Sequence, residues 1–288
     1  MKKILLLFVI YFLVITNYAE FTYSQPKSSH IVIVILENHS FDQIVGSKNS
    51  PYINYLINNK SCALFTESYA VTHPSQPNYL ALFSGSVNGV ADDQLPETFP
   101  FNTPNLGAEL LKNGYSFAGY SEDLPEVGFN GKFSGPYARK HNPWVNWQDS
   151  KINGIPKKDN LPFTSFPKDY KLLPDVSFII PNQLNDMHDG KEPERIIRSD
   201  AWLKKNLDGY IQWAKKNNSL FILTFDEDNN TSTNKITTLF VGQKIKGATY
   251  NEKINHFSIL KTIEKMYNLP YAGESSEANL IRDCWIIK

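Results

Sequence analysis

The amino-acid sequence predicts an α/β fold with a largely parallel central sheet and helices on both faces. Three observations predict it. Apolar runs of strand length alternate along the chain with segments of helical periodicity. The clearest run, His30–Leu36 (HIVIVIL), is continuously apolar and β-branched, the pattern of a strand covered on both faces. The polar residues capable of chemistry follow directly on the strand candidates, as expected where parallel strands deliver their carboxyl ends to one edge.

Taken in order, the chain opens with Lys2 and Lys3 and an apolar stretch over 4–15. That stretch is shorter than the roughly 20 residues of a membrane-spanning helix. It fits a signal peptide over residues 1–24, with cleavage after Ser24 favoured over Ala19, and an uncleaved anchor is the alternative. No later run approaches a membrane span, so the expected location is secreted or extracytoplasmic, with residues 25–288 as a single domain. Strands are expected at His30–Leu36, Tyr115–Tyr120, Val176–Ile180, Leu220–Phe225 and Thr237–Val241. Helices are expected at Pro77–Ser84, Pro104–Lys112, Ser199–Lys215 and Ser258–Tyr267. In Ser199–Lys215 the residues Trp202, Leu203, Leu207, Tyr210, Ile211 and Ala214 form one apolar face, with Ser199 as N-cap. Residues 121–170 hold six prolines, Trp144 and Trp147 without regular periodicity, and read as an irregular cap insertion over one end of the sheet.

Bulk charge excludes one class of partner. The 29 basic and 29 acidic side chains balance, and losing Lys2, Lys3 and Glu20 with the leader takes the formal charge from zero to −1. There is no basic excess of the kind that binds nucleic acid. The two cysteines, Cys62 and Cys284, are expected to pair in an oxidising compartment. Closing so long a loop would stabilise the fold by about 4–5 kcal/mol.

The chemistry gathers after the strands. Glu37 and Asn38 follow the first strand, and Asp226 and Glu227 follow Leu220–Phe225. All four are oxygen donors suited to one hard or borderline divalent cation (Mg, Ca, Mn, Fe or Zn), and adjacent carboxylates are costly to hold together without one. Ser75, in Thr72-His73-Pro74-Ser75-Gln76-Pro77-Asn78-Tyr79, reads as the N-cap of a helix with Pro77 in its first turn, where free N–H groups and the helix dipole favour an anion. A serine hydroxyl needs a base or a metal to act as a nucleophile. No G-x-S-x-G elbow is present, so metal activation fits better than a lipase-like triad. His73, His141, His188 and His256 are candidates to protonate a leaving alkoxide or to bind phosphate.

Four pieces carry a resemblance: Leu36-Glu37-Asn38-His39-Ser40-Phe41-Asp42, Asn182 with Asp186-Met187-His188-Asp189-Gly190, Thr224-Phe225-Asp226-Glu227, and the stretch from His256 to Glu264. In this order, from about residue 30 to 285, the chain resembles the phosphoesterase family of bacterial non-specific phospholipases C and secreted acid phosphatases, within the alkaline phosphatase superfamily. The resemblance implies an alkaline-phosphatase-like fold, a metal held by Glu37, Asn38, Asp226 and Glu227, and Ser75 as the bridging nucleophile. The segment from Ser75 through Gly85 is also similar to the nucleophile segment of nucleotide pyrophosphatases, which gives Asn78 a phosphate oxygen to bind. His141 and His188 are then the candidate general acids, and His73, Asp186 and His256 the candidate substrate-binding residues. Two departures matter. Glu227 stands where an Asp-His pair would place His, which leaves a second metal open. Tyr79 stands where sulfatases carry Arg. The implied activity is hydrolysis of phosphate monoesters, phosphoinositides among them, through a phosphoserine. The alternatives are a phospholipase C-type diesterase acting on a phospholipid headgroup and a non-catalytic secreted binding protein.

Overall fold

The structure, a computed structural model, describes residues 26–287, so the signal-peptide reading of 1–24 lies outside the described residues. In chain order the elements are β1 (Ile31–Leu36), α1 (Phe41–Ile44), α2 (Pro51–Ile57), β2 (Cys62–Tyr69), α3 (Ser75–Ser84), α4 (Leu106–Lys112), β3 (Phe117–Ser121), β4 (Phe133–Ser134), β5 (Tyr137–Ala138), β6 (Asn160–Pro162), β7 (Val176–Ile180), α5 (Glu194–Ala214), β8 (Leu220–Phe225), β9 (Thr238–Gly242), β10 (Ala248–Asn255) and α6 (His256–Met266). Eight strands form the main sheet in the order β10-β2-β9-β8-β1-β7-β3-β6, all parallel except β9, while β4 and β5 make a separate small hairpin. The expected α/β architecture is the observed one. No helix among the described residues is long and apolar enough to cross a membrane.

β1 lies at the centre of the sheet because it can be buried on both sides. Ile31, Ile33 and Ile35 face one core with side chains of α3, α4 and α6, and Val32, Val34 and Leu36 face the other with α2 and α5. Burying each of these side chains contributes about 1.5–3 kcal/mol. Helix α5 presents a single apolar stripe, Leu203, Leu207, Tyr210, Ile211 and Ala214, to the second core. It begins at Glu194 rather than at Ser199; Ser199 is not the N-cap but lies buried inside the helix, its hydroxyl donating to the Asn185 carbonyl. Strands β2 and β10 and helix α2 were not expected from the sequence.

Residues 121–170 are irregular, built of short 3-10 turns, the β4–β5 hairpin and β6, which adds a strand to the sheet edge. Trp144 and Trp147 are fully buried in the α3-side core, and Trp144 donates its indole N–H to Asn160 at 2.9 Å. Gly119 of β3 makes this packing possible, since a Cβ there would stand 2.1 Å from the Trp144 ring.

The expected Cys62–Cys284 disulfide is corrected: both thiols are free and buried. Cys62 opens β2 and packs into the core with Leu239 and Val241, whereas Cys284 packs with Phe240 and Trp285 in the other core. The sheet separates them. Burial pushes the Cys62 thiol up to about 12 and raises Cys284 as well. Thiol titration of the unreduced, denatured protein should therefore return two free thiols per chain; none would restore the bridge.

Glu264 on α6 is buried and accepts from the Ala272 N–H (2.8 Å) and the Ser275 hydroxyl (2.7 Å), yet burial raises its carboxyl to about 7. The folded group holds a proton that the unfolded chain releases near 4.5. Its contribution to stability is thus complete below about pH 4.5 and is lost as pH rises through about 7. Compared with Glu264→Gln, the wild type should lose on the order of 2 kcal/mol of unfolding free energy across that interval, measured by denaturant melts at stepped pH.

Candidate active site

The in-register pairing of β1 with β8 sets Leu36 opposite Phe225, so Glu37 and Asp226 leave the sheet side by side. The ladder continues past the strand ends: the Asp226 N–H donates to the Leu36 carbonyl at 2.9 Å, and the Glu37 N–H to the Asp186 carbonyl at 2.8 Å. Asn38 turns the chain with φ 51°, a left-handed conformation that asparagine tolerates, and its N–H donates to Asp226 Oδ1 at 3.0 Å.

Ser75 is the first residue of α3, and Pro74 rather than Ser75 occupies the N-cap position. Its hydroxyl is therefore free of capping and points into the acidic cluster. Oγ lies 3.0 Å from Glu37 Oε2, 3.0 Å from Glu227 Oε1 and 3.3 Å from Asn38 Oδ1, with the Asp226 carboxylate also bordering it. One hydroxyl proton cannot serve all these acceptors. Asp226 Oδ2 is buried with no hydrogen-bond partner. Burial first, then Glu37 and Glu227, push the Asp226 carboxyl well above its usual range, and burial raises Glu227 too. Glu37, Asp226 and Glu227 are all buried. Acceptors in excess of protons, in a buried set of oxygen donors, fit a divalent cation. The structure thus brings together the five side chains expected to form the metal and nucleophile site.

Tyr79, which the sequence reading passed over except as a departure from sulfatases, sits one helical turn after Ser75 on the same face of α3 and donates its hydroxyl to Glu37 Oε1. The i, i+4 spacing was the available signal. The Tyr79 ring stacks on His141 at 5.1 Å between centroids. His141 lies between Glu37 Oε1 and Asp186 Oδ2, each 3.2 Å away, yet its Nε2 and Asp186 Oδ2 are buried without a hydrogen-bond partner. Burial lowers His141 to about 4 and raises Asp186 to about 8, which keeps both neutral.

Several expected roles are corrected by these contacts. His141 and Asp186 are fully buried behind Glu37, as enclosed as Ser75 and Asp226 themselves. His256 is also buried; Nε2 pairs with the Asp226 carbonyl at 2.7 Å and burial lowers it to about 4, so it anchors a site residue and does not reach substrate. Asn78 is spent on the loop before α3: Oδ1 accepts from the Val71 and Thr72 N–H groups, and Nδ2 donates to the Thr72 and Pro74 carbonyls. That leaves its amide no donor for a phosphate oxygen. His73 Nδ1 pairs with Glu227 Oε2, and Nε2 lies 3.2 Å from the Thr231 carbonyl, so it buttresses Glu227 from the solvent side.

His188 is different. Its side chain is 26% exposed, Nδ1 lies 2.7 Å from Asp189 Oδ1, and Nε2 lies 3.2 Å from Lys140 Nζ. Glu37, His141 and His188 bring ligand atoms within 4.8 Å of one another, a second candidate metal group made of Glu and His side chains.

The Phosphoesterase family profile matches residues 48–270. A phosphatidylinositol-3-phosphatase of Mycobacterium tuberculosis is 46% identical over 265 residues, covering 90% of this chain and 84% of that protein. An acid phosphatase of Aspergillus fumigatus and a phosphate-repressible acid phosphatase of Penicillium chrysogenum are each 31% identical, covering 83% and 87% of this chain. The chain spans 55% and 62% of those two fungal proteins. Among solved structures, an alkaline phosphatase superfamily protein from Vibrio parahaemolyticus superposes with a TM-score of 0.61 at 14% identity, covering 88% of this chain and 71% of the other. The lipoteichoic acid synthase LtaP of Listeria monocytogenes gives 0.56 at 12% identity, over 89% and 78%. The structural likenesses establish an alkaline phosphatase superfamily fold, and the sequence matches establish that the chain belongs to the phosphoesterase family and is a phosphoric ester hydrolase.

Proposed function

We propose that the protein is a secreted, metal-dependent phosphatase that hydrolyses phosphate monoesters through a phosphoserine at Ser75. One observation carries the reading: the Ser75 hydroxyl is ringed at 3.0–3.3 Å by Glu37, Asn38 and Glu227, with the orphaned Asp226 carboxylate beside them. Glu37, Asn38, Asp226 and Glu227 would hold the cation, which when bound lowers the hydroxyl pKa and neutralises phosphate charge.

The chain's own residues do the rest. One of the two carboxylate oxygens at 3.0 Å, Glu37 Oε2 or Glu227 Oε1, takes the hydroxyl proton as Oγ attacks phosphorus. The N-terminus of α3 places its dipole under the developing charge. The bond from phosphorus to the leaving oxygen breaks, and His188, partly exposed and oriented by Asp189, gives that oxygen its proton. Water then cleaves the phosphoserine, releasing inorganic phosphate and regenerating the hydroxyl. Residues 25–288 act as one catalytic domain, with 121–170 as a cap over the substrate entrance. The substrate class is a small phosphate ester or phosphorylated lipid headgroup, in keeping with the name of the Mycobacterium tuberculosis relative.

Three measurements test this. Ser75→Ala should cut kcat by roughly 1,000-fold or more while the thermal midpoint stays near wild type; an active variant ends the mechanism. Exhaustive chelation should abolish turnover of a phosphomonoester, with recovery on adding back one divalent cation. Tyr79→Phe strips Glu37 of a hydrogen-bond donor and should weaken cation binding by about 10–100-fold in calorimetry of the chelated protein.

A further inference from the structure

Among the described residues facing the acidic cluster, Lys140 has no role in the scheme above. Its side chain is 13% exposed, and Nζ donates to Asp93 Oδ2 at 2.7 Å and to His188 Nε2 at 3.2 Å. Asp93 Oδ1 accepts the backbone N–H of Gln76 at 3.0 Å. Gln76 immediately follows Ser75, so Asp93 ties the ammonium to the first turn of the helix that carries the nucleophile. Lys140 therefore links His188 to the first turn of the nucleophile's helix through Asp93.

Charge balance gives this position a function. Glu37, Asp226 and Glu227 bring three negative charges and a divalent cation returns two, so the centre stays net negative as an anionic substrate approaches. A phosphomonoester arrives as a dianion and a phosphodiester as a monoanion. Lys140 and Asp93 cancel in net charge, but a charged N–H donor at close range matters more to the oxygens of the first than to those of the second. The Asp93 carboxylate already shows how an anion is received there: one oxygen on the ammonium, the other on the Gln76 N–H.

We propose that Lys140 binds the phosphoryl oxygens of the substrate and sets a preference for monoester dianions over diester monoanions, with Asp93 as the residue that positions its ammonium. This rests on the phosphatase reading of Ser75. The test uses Lys140→Met, which keeps the length of the stem, and Lys140→Arg, with the metal-loaded enzyme. Phosphate binding is read by calorimetry with inorganic phosphate, and kcat/KM is read on an aryl phosphate monoester and on the matched methyl aryl diester. In Lys140→Met, phosphate affinity and monoester kcat/KM should each fall about 30–100-fold, diester kcat/KM should fall less than about 5-fold, and Lys140→Arg should recover much of the loss. Unchanged phosphate affinity in Lys140→Met, or equal losses on monoester and diester, overturns the proposal. An active Ser75→Ala enzyme would instead sink the nucleophile assignment, and the calorimetric phosphate affinity would still decide the role of Lys140.

Discussion

Three buried carboxylates held around one serine hydroxyl are the constraint on which the rest of the molecule turns. Like charges in a low-dielectric interior repel strongly, and the Asp226 carboxyl is driven far from its ordinary range by burial and by its two acidic neighbours. Nothing local in the chain holds them there. They are held by the central sheet: β1 and β8 end in register, and their hydrogen-bond ladder runs one residue past the strand ends. A shift of one residue between these strands would turn every β1 side chain to the other core and move Glu37 away from Asp226. The double-sided burial of β1 thus fixes the register, and the register fixes the site.

A surrounding layer then aims each group. Tyr79 holds Glu37, the Asn38 N–H holds Asp226 Oδ1, His256 holds the Asp226 carbonyl, and His73 holds Glu227. Asn78 folds the loop that delivers Ser75. Such supports matter because a charged cluster without a rigid frame would relax by protonation or by side-chain rotation toward water.

What could be read from the sequence follows the same logic. β1, β7 and β8 were legible because strands buried on both faces are written as continuous apolar runs. β2 was not, since CALFTESY turns polar halfway, and β10, ATYNEKIN, is an edge strand largely open to solvent. The oxygen donors and Ser75 were legible because they follow strands or open a helix. The parts played by Asn78, Asp186, His141 and His256 were not, because residue type declares which atoms can act but not whether burial leaves them reachable. The cysteines failed for a related reason: two residues far apart in sequence carry no sign of the sheet that lies between them. Asp93 and Lys140 come from irregular segments whose meeting has no periodicity to announce it.

Burial also divides the histidines into two kinds. His141 and His256 are enclosed, and desolvation lowers both to about 4, which favours their neutral forms. An enclosed neighbour whose charge varied with pH would loosen Glu37 or Asp226 as it titrated. His188 is partly exposed, with Asp189 on Nδ1 and the Lys140 ammonium on Nε2, so its ring keeps contact with water. Proton transfer requires a group that can exchange with solvent between turnovers, and rigidity requires one that cannot. Partly exposed and enclosed histidines around the carboxylates let a single residue type meet both needs.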